Sequence, residues 1–243
     1  MKISVCMATY NGGKYIREQL DSILNQDISK YPDAELEVIV SDDKSSDDTI
    51  AILESYNDNR IKIFHHISKH HHKYKKGLFA ATENFSNAMS KATGDYIFLS
   101  DQDDVWYPQK VAKTIDVLIQ KGGVCAASFD VGYNAQKKYG TKIYKKRARF
   151  SLKDFYYGFC FGFTKDFLRK YIIPIPDIPA HDMFITLLAS FSNNISLIEE
   201  PCAIHRWTGE HNVSSHDTYS PFWYRNYYRI KMVLVAFYRC FLK

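Results

Sequence analysis

Along the first half of the chain, apolar and polar positions alternate between two rhythms. Residues 3–7, 36–40, 61–65 and 96–99 are short apolar runs of strand length, each ended by turn residues such as Asn11-Gly12-Gly13. Between them the spacing is helical. Ile16, Leu20, Ile23 and Leu24 form one apolar stripe. Residues 49–56 form a second helix that Asp47 or Asp48 can cap, and residues 78–92 a third. Pro108 opens a fourth, whose apolar face is Val111, Ile115, Leu118 and Ile119. Strands separated by helices of this length predict an α/β fold with a doubly wound, mostly parallel sheet. The second half is less regular. Residues 124–131, 195–198 and 201–205 read as strands, and 158–163 as an apolar, glycine-flanked stretch. Residues 182–190 read as a helix, and 221–243 as a C-terminal helical extension rich in aromatics. No internal repeat and no linker interrupts the chain.

A chain of 243 residues, 46% apolar and 24% charged, is long and apolar enough to bury a full core and is unlike a disordered segment. Its net charge of +5, from 32 basic and 27 acidic residues, is too mild and too dispersed for a dedicated nucleic-acid binder. The five cysteines, Cys6, Cys125, Cys160, Cys202 and Cys240, form no C-x-x-C pair and are odd in number, which fits reduced thiols better than a disulfide framework. The strand pattern begins at once, without a basic head and cleavable apolar stretch, and no run of ~20 apolar residues follows. Together these point to a cytoplasmic protein.

In open α/β sheets, ligands bind in the turns that follow the strands. Three such turns are polar here: residues 8–13, 41–48 and 100–106. No G-x-G-x-x-G and no G-x-x-x-x-G-K-[ST] occurs, which removes the main support for a dinucleotide fold or a P-loop NTPase. The third turn places Asp101, Asp103 and Asp104 within four residues. A capping turn needs one carboxylate; three repel one another unless a cation relieves them, and they suit a hard ion such as Mg²⁺ or Mn²⁺. Residues two apart in an extended segment share a face, so Asp101 and Asp103 can converge. In the second turn, Asp42 and Asp43 either close the turn or offer a carboxylate to the imide N–H of uracil or thymine. Asp182, by its position alone, is equally a helix N-cap or a base.

The motifs resemble family 2 glycosyltransferases of the GT-A fold, in particular their bacterial rhamnosyltransferase-like branch. The matching segments are Ala8-Thr9-Tyr10-Asn11-Gly12-Gly13, Ser41-Asp42-Asp43-Lys44-Ser45 (with Lys44 where glycine is usual), Gly94-Asp95-Tyr96 and residues 100–106 with Pro108. Gly158 to Phe163 resembles the acceptor-side glycine motif, and His181-Asp182 falls where the catalytic acid residue is expected. The likeness runs from about residue 3 to 214, leaving residues 216–243 as an extension to a domain of residues 1–215. It implies that Ala8, Thr9, Tyr10 and Asp43 hold the nucleotide base and that Lys76 approaches donor phosphate or ribose. It also implies that Asp101 and Asp103 hold the metal and meet the donor, with Asp103 the main ligand. Asp182 would be the general base of an inverting transfer, and Gly158, Cys160 and Trp106 would line the acceptor side. Where relatives carry a further histidine, this chain has Thr208, so His205 or His211 would be the third ligand, or water would complete the shell.

The implied partners are a UDP- or dTDP-sugar donor and a cell-surface polysaccharide or lipid-linked acceptor, with no nucleic acid. Two other classes compete. A sugar-nucleotide nucleotidyltransferase needs a basic glycine loop that is absent after the first strand. A non-catalytic nucleotide- or sugar-binding module has no use for Asp182. The cluster His65, His66, His70, His71 and His72 lies among lysines without cysteine partners, and reads as a solvated loop rather than a zinc site. Residues 133–149 are basic and read either as a solvated loop or as a flap over a phosphate-bearing acceptor. Residues 221–243 interleave cations with aromatics. They fit either a helix docked on the sheet or peripheral contact with the inner face of a membrane.

Overall fold

The computed structural model describes residues 1–69, 72–133, 137–145, 155–206 and 220–243. Four parallel strands, β1 (Lys2–Thr9), β2 (Glu35–Asp42), β3 (Ile61–His65) and β4 (Tyr96–Ser100), stand in the order β3-β2-β1-β4. They are connected by α1 (Ile16–Leu24), α2 (Thr49–Glu54) and α3 (Lys76–Lys91). Val5, Cys6, Val38, Ile39, Val40, Ile97, Phe98 and Leu99 are all fully buried. This is why these strands are written as continuous apolar runs: helices cover both faces of the sheet. Of the two candidate caps for α2, Asp47 does the work. Its Oδ1 accepts from the Thr49 amide at 3.1 Å, and its Oδ2 from the Gly13 amide at 2.9 Å, so the cap also ties the first loop to the second.

The rest of the sheet is mixed. It comprises β5 (Val105–Trp106), β6 (Val124–Gly132), β7 (Lys138–Lys142), β8 (Phe161–Thr164) and β9 (Ile195–Arg206), with α4 (Lys110–Lys121) between β5 and β6. β8 follows a 3₁₀ turn, Gly158–Cys160; α5 (Lys165–Phe167) continues into a π-helical turn to Ile172; and α6 (His181–Phe191) leads into β9. The strand order is β3-β2-β1-β4-β8-β6-β9-β5, with β7 added to β6. β8 is antiparallel to β4 and β6, β7 to β6, and β5 to β9, while β9 is parallel to β6. The mostly parallel expectation therefore describes the first half only. The link between β6 and β7 is a few residues long, and a parallel partner needs a crossover of a dozen or more. The two short strands read at 195–198 and 201–205 are one strand: pairing with β6 skips two residues between Ile198 and Pro201, where an imide without a donor is tolerated. Likewise, residues 138–142 of the basic stretch form β7 rather than loop, and residues 134–136 and 146–149 lie outside the described set.

The C-terminal helix α7 (Phe222–Phe241) packs on α6 and the π-helical turn and buries Tyr224, Tyr228, Met232 and Ala236, the two tyrosines against Tyr74, His72 and Phe79. Arg239 pins it by donating to the carbonyls of Tyr171, Ile172 and Pro174 at 2.6–2.7 Å. All five cysteines are free thiols. Among the described residues no helix is long and apolar enough to cross a membrane.

At the opposite end of the sheet from the polar turns, Gly94 meets β1 too closely for any side chain. A Cβ there would lie 2.7 Å from the Ser4 amide nitrogen and 2.9 Å from the Lys2 carbonyl oxygen. Asp95 then clasps Lys2, donating to its carbonyl at 2.7 Å and accepting from its amide at 2.9 Å. Because the obstacles are backbone atoms, Gly94→Ala should cost about 1–3 kcal/mol, seen as a lower urea midpoint at unchanged slope.

Candidate active site

The C-terminal ends of β1, β2 and β4 meet on one side of the sheet, and their loops are laced together. The Tyr10 amide donates to Gln102 Oε1 at 2.9 Å, and Gln102 Nε2 donates back to the Tyr10 carbonyl at 3.0 Å. Gly12 lies against that amide, where a Cβ would fall 2.3 Å from Gln102 Oε1. Asn11 bridges to the second turn through Ser45 and Ser46 at 2.8 Å each. Asp42 is engaged inside this lattice on both oxygens, accepting from the Ser45 amide and hydroxyl and from Thr9 Oγ1. Thr9 is thereby buried with its hydroxyl committed, whereas Tyr10 is 57% exposed above the site. Ala8 is half-buried at the end of β1, opposite Ser41. Asp43 accepts from the Ser68 amide at 2.8 Å and hydroxyl at 2.6 Å, one bond to each oxygen. A carboxylate has about four acceptor positions, so Asp43 keeps capacity for a ligand. Lys44 sits at φ +60°, the left-handed conformation that favours the glycine usual there. Lys76 is exposed at the first turn of α3.

The acidic turn divides its three carboxylates between two jobs. Asp104 points inward and is fully buried; its Oδ1 faces His205 Nδ1 at 2.9 Å and accepts from the Arg206 amide at 3.2 Å. Burial opposes a charged His205, but the hydrogen bond to Asp104 and the charges of Asp104, Asp101 and Asp103 prevail and lift its pKa to about 9. The His205 ring is stacked on Phe159 at 5.0 Å and on Tyr157 at 5.7 Å, with Phe129 edge-on. Asp101 and Asp103 are half-buried. Burial, then the charges of Asp104 and Asp103, raise Asp101 well above the ordinary carboxylate range. Burial and Asp104 bring Asp103 to about 7.

Asp182 lies in the first turn of α6, accepting from the Met183 amide at 2.7 Å, close enough to the acidic turn to raise Asp101 further. Burial lifts its own pKa to about 6. Its neighbour His181 is held neutral: burial lowers it to about 3, and its ring lies beside Phe85 and Thr82. Gly158 makes room for that ring, since a Cβ there would be 2.8 Å from His181 Nε2. Cys160 and Trp106 are each 2% exposed and so stand behind the wall of the site rather than on its surface. Lys110 lies between them: its Nζ donates to the Phe159 carbonyl at 2.6 Å and sits 4.2 Å above the Trp106 ring. Its desolvation lowers its pKa, while Cys160, Cys202, Asp104 and Asp101 act to restore it.

Sequence reasoning passed over Lys110 and Gln102. The signal for Lys110 was present, since it falls in phase with Val111, Thr114, Ile115 and Leu118 on the buried face of α4. Gln102 carried none, because its role depends on a loop 92 residues away. His72, read as part of a solvated loop, is instead stacked on Phe79 at 3.4 Å and placed 2.7 Å from Asp177 Oδ1. His70, His71, Thr208 and His211 lie outside the described residues.

Among the described residues no three His, Cys, Asp or Glu side chains form a group able to hold a metal by themselves. The donor set still fits a divalent ion of a different kind. Mg²⁺ in phosphate-transfer sites commonly takes one or two carboxylates and fills its shell with phosphate oxygens and water. Asp101 and Asp103 are two such carboxylates, raised in pKa by burial and by Asp104, and Asp101 also by Asp103; a cation would relieve that repulsion. Asp104 and His205 are engaged with each other at 2.9 Å behind these two carboxylates.

The model of Glycosyl transferase family 2 matches residues 4–172, and the chain belongs to that family, as a glycosyltransferase of the GT-A fold. Among curated proteins it is similar to dTDP-rhamnosyl transferase RfbG of Shigella flexneri, 28% identical over 96% of this chain and 81% of that one. It is also similar to a Campylobacter jejuni GalNAc(5)-diNAcBac-PP-undecaprenol beta-1,3-glucosyltransferase, 30% identical over 63% of this chain and 47% of that one. Among solved structures, Staphylococcus aureus TarS 1-349 in complex with UDP-GlcNAc superposes with a TM-score of 0.74 at 21% identity, over all of this chain and 68% of that one.

The reciprocal bonds of Gln102 make it a strut between the two loops. Gln102→Ala should lower stability by about 0.5–1.5 kcal/mol for each bond lost. Gln102→Glu, which keeps the acceptor and loses the donor, should fall between the two in thermal unfolding.

Proposed function

We propose that the chain is an inverting, metal-dependent glycosyltransferase. It moves a sugar from a UDP- or dTDP-activated donor to a hydroxyl of a cell-surface polysaccharide or lipid-linked oligosaccharide. The observation that carries this reading is the pairing of the Asp101–Asp103–Asp104–His205 cluster with Asp182, a carboxyl raised to about 6, at the start of a neighbouring helix. The donor classes are supported by the names of similar proteins, a dTDP-rhamnosyl transferase and TarS in complexes with UDP and UDP-GlcNAc. The acceptor class is supported by relatives named for diphosphoundecaprenol-linked substrates.

In this reading the loop at Tyr10 and the free acceptor positions of Asp43 hold the pyrimidine, and Lys76 lies toward the ribose and phosphates. Asp101 and Asp103 would hold Mg²⁺ or Mn²⁺, which supplies positive charge against the departing diphosphate. Asp182 takes the proton of the acceptor hydroxyl as that oxygen bonds to the anomeric carbon from the face opposite the leaving group. The bond from the anomeric carbon to the diphosphate oxygen breaks, and the nucleoside diphosphate leaves with its electron pair. One displacement inverts the anomeric centre. Gly158, Cys160 and Trp106 shape the acceptor side from beneath.

Calorimetric titration of UDP, dTDP and GDP, with and without Mn²⁺, tests the donor site. Metal-dependent binding of UDP or dTDP by the parent, lost in Asp103→Asn, is the expected result; no nucleotide binding by a folded parent would overturn the reading. Asp182→Asn should bind the donor as the parent does and lose transfer by about 10²-fold or more. Only the ionised carboxylate accepts a proton, so transfer should fall as pH drops through about 6, the raised value of Asp182. The limb should lie well above 3.8, the ordinary carboxyl value. An Asp182→Asn variant as active as the parent would remove the base assignment.

A further inference from the structure

Helix α7 is apolar on two opposite faces. One, with Tyr224, Tyr228, Met232 and Ala236, is buried against the domain. The other carries Trp223, Tyr227, Ile230, Leu234, Phe237 and Phe241, spaced by four, three, four, three and four residues, which aligns them as a single stripe. Each is between 47% and 66% exposed. The helix has 20 residues, a length of about 30 Å, and the stripe runs most of that distance. Folded monomers rarely leave an apolar patch of this extent uncovered.

The charge of the helix itself has one sign, and the exposed Asp177 beside it is engaged by Lys231 at 3.9 Å and by His72 at 2.7 Å. Residues 221–243 contain no Asp or Glu. Arg225 and Arg229 are exposed along one flank, and Arg169, Lys170 and Lys243 are exposed toward the C-terminal end, where Lys170 lies near Cys240. Lys231 is engaged, donating to the Asp177 carbonyl at 2.6 Å. The helix is also held rigidly: Arg239 grips three carbonyls of the 171–174 segment, and the Tyr224 hydroxyl donates to the Tyr74 carbonyl at 3.2 Å. The outer face is therefore presented as a fixed surface. A second copy of the chain packed on this face by two-fold symmetry would bring cationic flanks against cationic flanks. A surface of lipid phosphates has the complementary charge and accepts aromatic and aliphatic side chains at its headgroup boundary.

We infer that the outer face of α7 is an interfacial docking surface for an anionic phospholipid bilayer. The helix lies in the plane of the interface, with the Trp223–Phe241 stripe inserted and the flanking cations on lipid phosphates. The inference is independent of the sugar-transfer reading, because no residue of the acidic turn or of Asp182 takes part.

The test is co-sedimentation of the full chain with vesicles of phosphatidylcholine alone and of phosphatidylcholine mixed with phosphatidylglycerol. Binding to the anionic vesicles, weakened by salt and far weaker on phosphatidylcholine alone, is expected. Ile230→Asp/Leu234→Asp and Arg225→Glu/Arg229→Glu should each lower it by about tenfold or more, with thermal unfolding and UDP titration as in the parent. Asp103→Asn should sediment like the parent, which separates this surface from the donor site. Failure of the parent to bind anionic vesicles, or binding unchanged in both double variants, would overturn the proposal. So would light scattering that shows a parent dimer which Ile230→Asp/Leu234→Asp converts to monomer, since a second copy would then own the stripe.

Discussion

The arrangement of the site depends on one buried interaction, the pair between Asp104 and His205. A fully buried carboxylate is tolerable only if it is paired and hydrogen-bonded. Here a histidine raised to about 9 supplies the charge, and the Arg206 amide supplies a second donor. The pair joins the turn between β4 and β5 to the end of β9, 101 residues apart in sequence. It sets the rotation of the acidic turn: with Asp104 drawn inward, Asp101 and Asp103 are left at the opening. Phe159, Tyr157 and Phe129 close around the imidazole, so the aromatic packing of the second half of the chain also serves that one ion pair.

The loops that follow β1 and β2 have a comparable economy of support. Asp42, Asp47, Asn11 and Gln102 each spend their polar atoms on the backbone or hydroxyls of a neighbouring loop. An exposed loop of this kind cannot be stabilised by burying side chains in it, so it is braced from behind by hydrogen bonds. Gly12 follows from the same constraint, since the space a side chain would need is filled by Gln102. The exposed position of Tyr10 above these braces is the complement of the buried, committed position of Thr9.

Much of this was legible in the order of residues, and the limit of legibility is physical. The first four strands and their helices follow from periods of two and 3.6, because each element buries its own stripe. Candidate carboxylates were legible because three acids at a strand end have a local cost that only a local purpose explains. What was not legible is whatever depends on distant pairing. The sequence of β9 reads as two strands because Pro201 interrupts it, and only the continuous partner β6 makes it one. Trp106 and Cys160 read as site-facing from their motif, yet the depth at which Lys110 and Phe159 pack places them beneath the surface. His72 sits among lysines in sequence but finds Phe79, Asp177 and Tyr228 in space.

The start of α6 shows how burial alone can assign opposite characters to adjacent residues. Desolvation disfavours whichever form is charged, so it strips the proton from His181 and presses one onto Asp182. The helix N-terminus pulls the other way on the carboxylate, stabilising its anion by about 0.3–1 kcal/mol, and the Met183 amide adds a hydrogen bond to it. Burial still wins, and Asp182 settles near 6. That value is useful for the role proposed. A carboxylate of ordinary acidity is a feeble proton acceptor, and one raised above 8 would be mostly protonated at neutral pH. A group near 6 is about nine-tenths ionised at pH 7 and a roughly hundredfold stronger base than an ordinary aspartate. His181 stays neutral and so places beside Asp182 no positive charge that would lower it. The glycine at 158 that lets the imidazole lie buried is thus part of what keeps its neighbour basic.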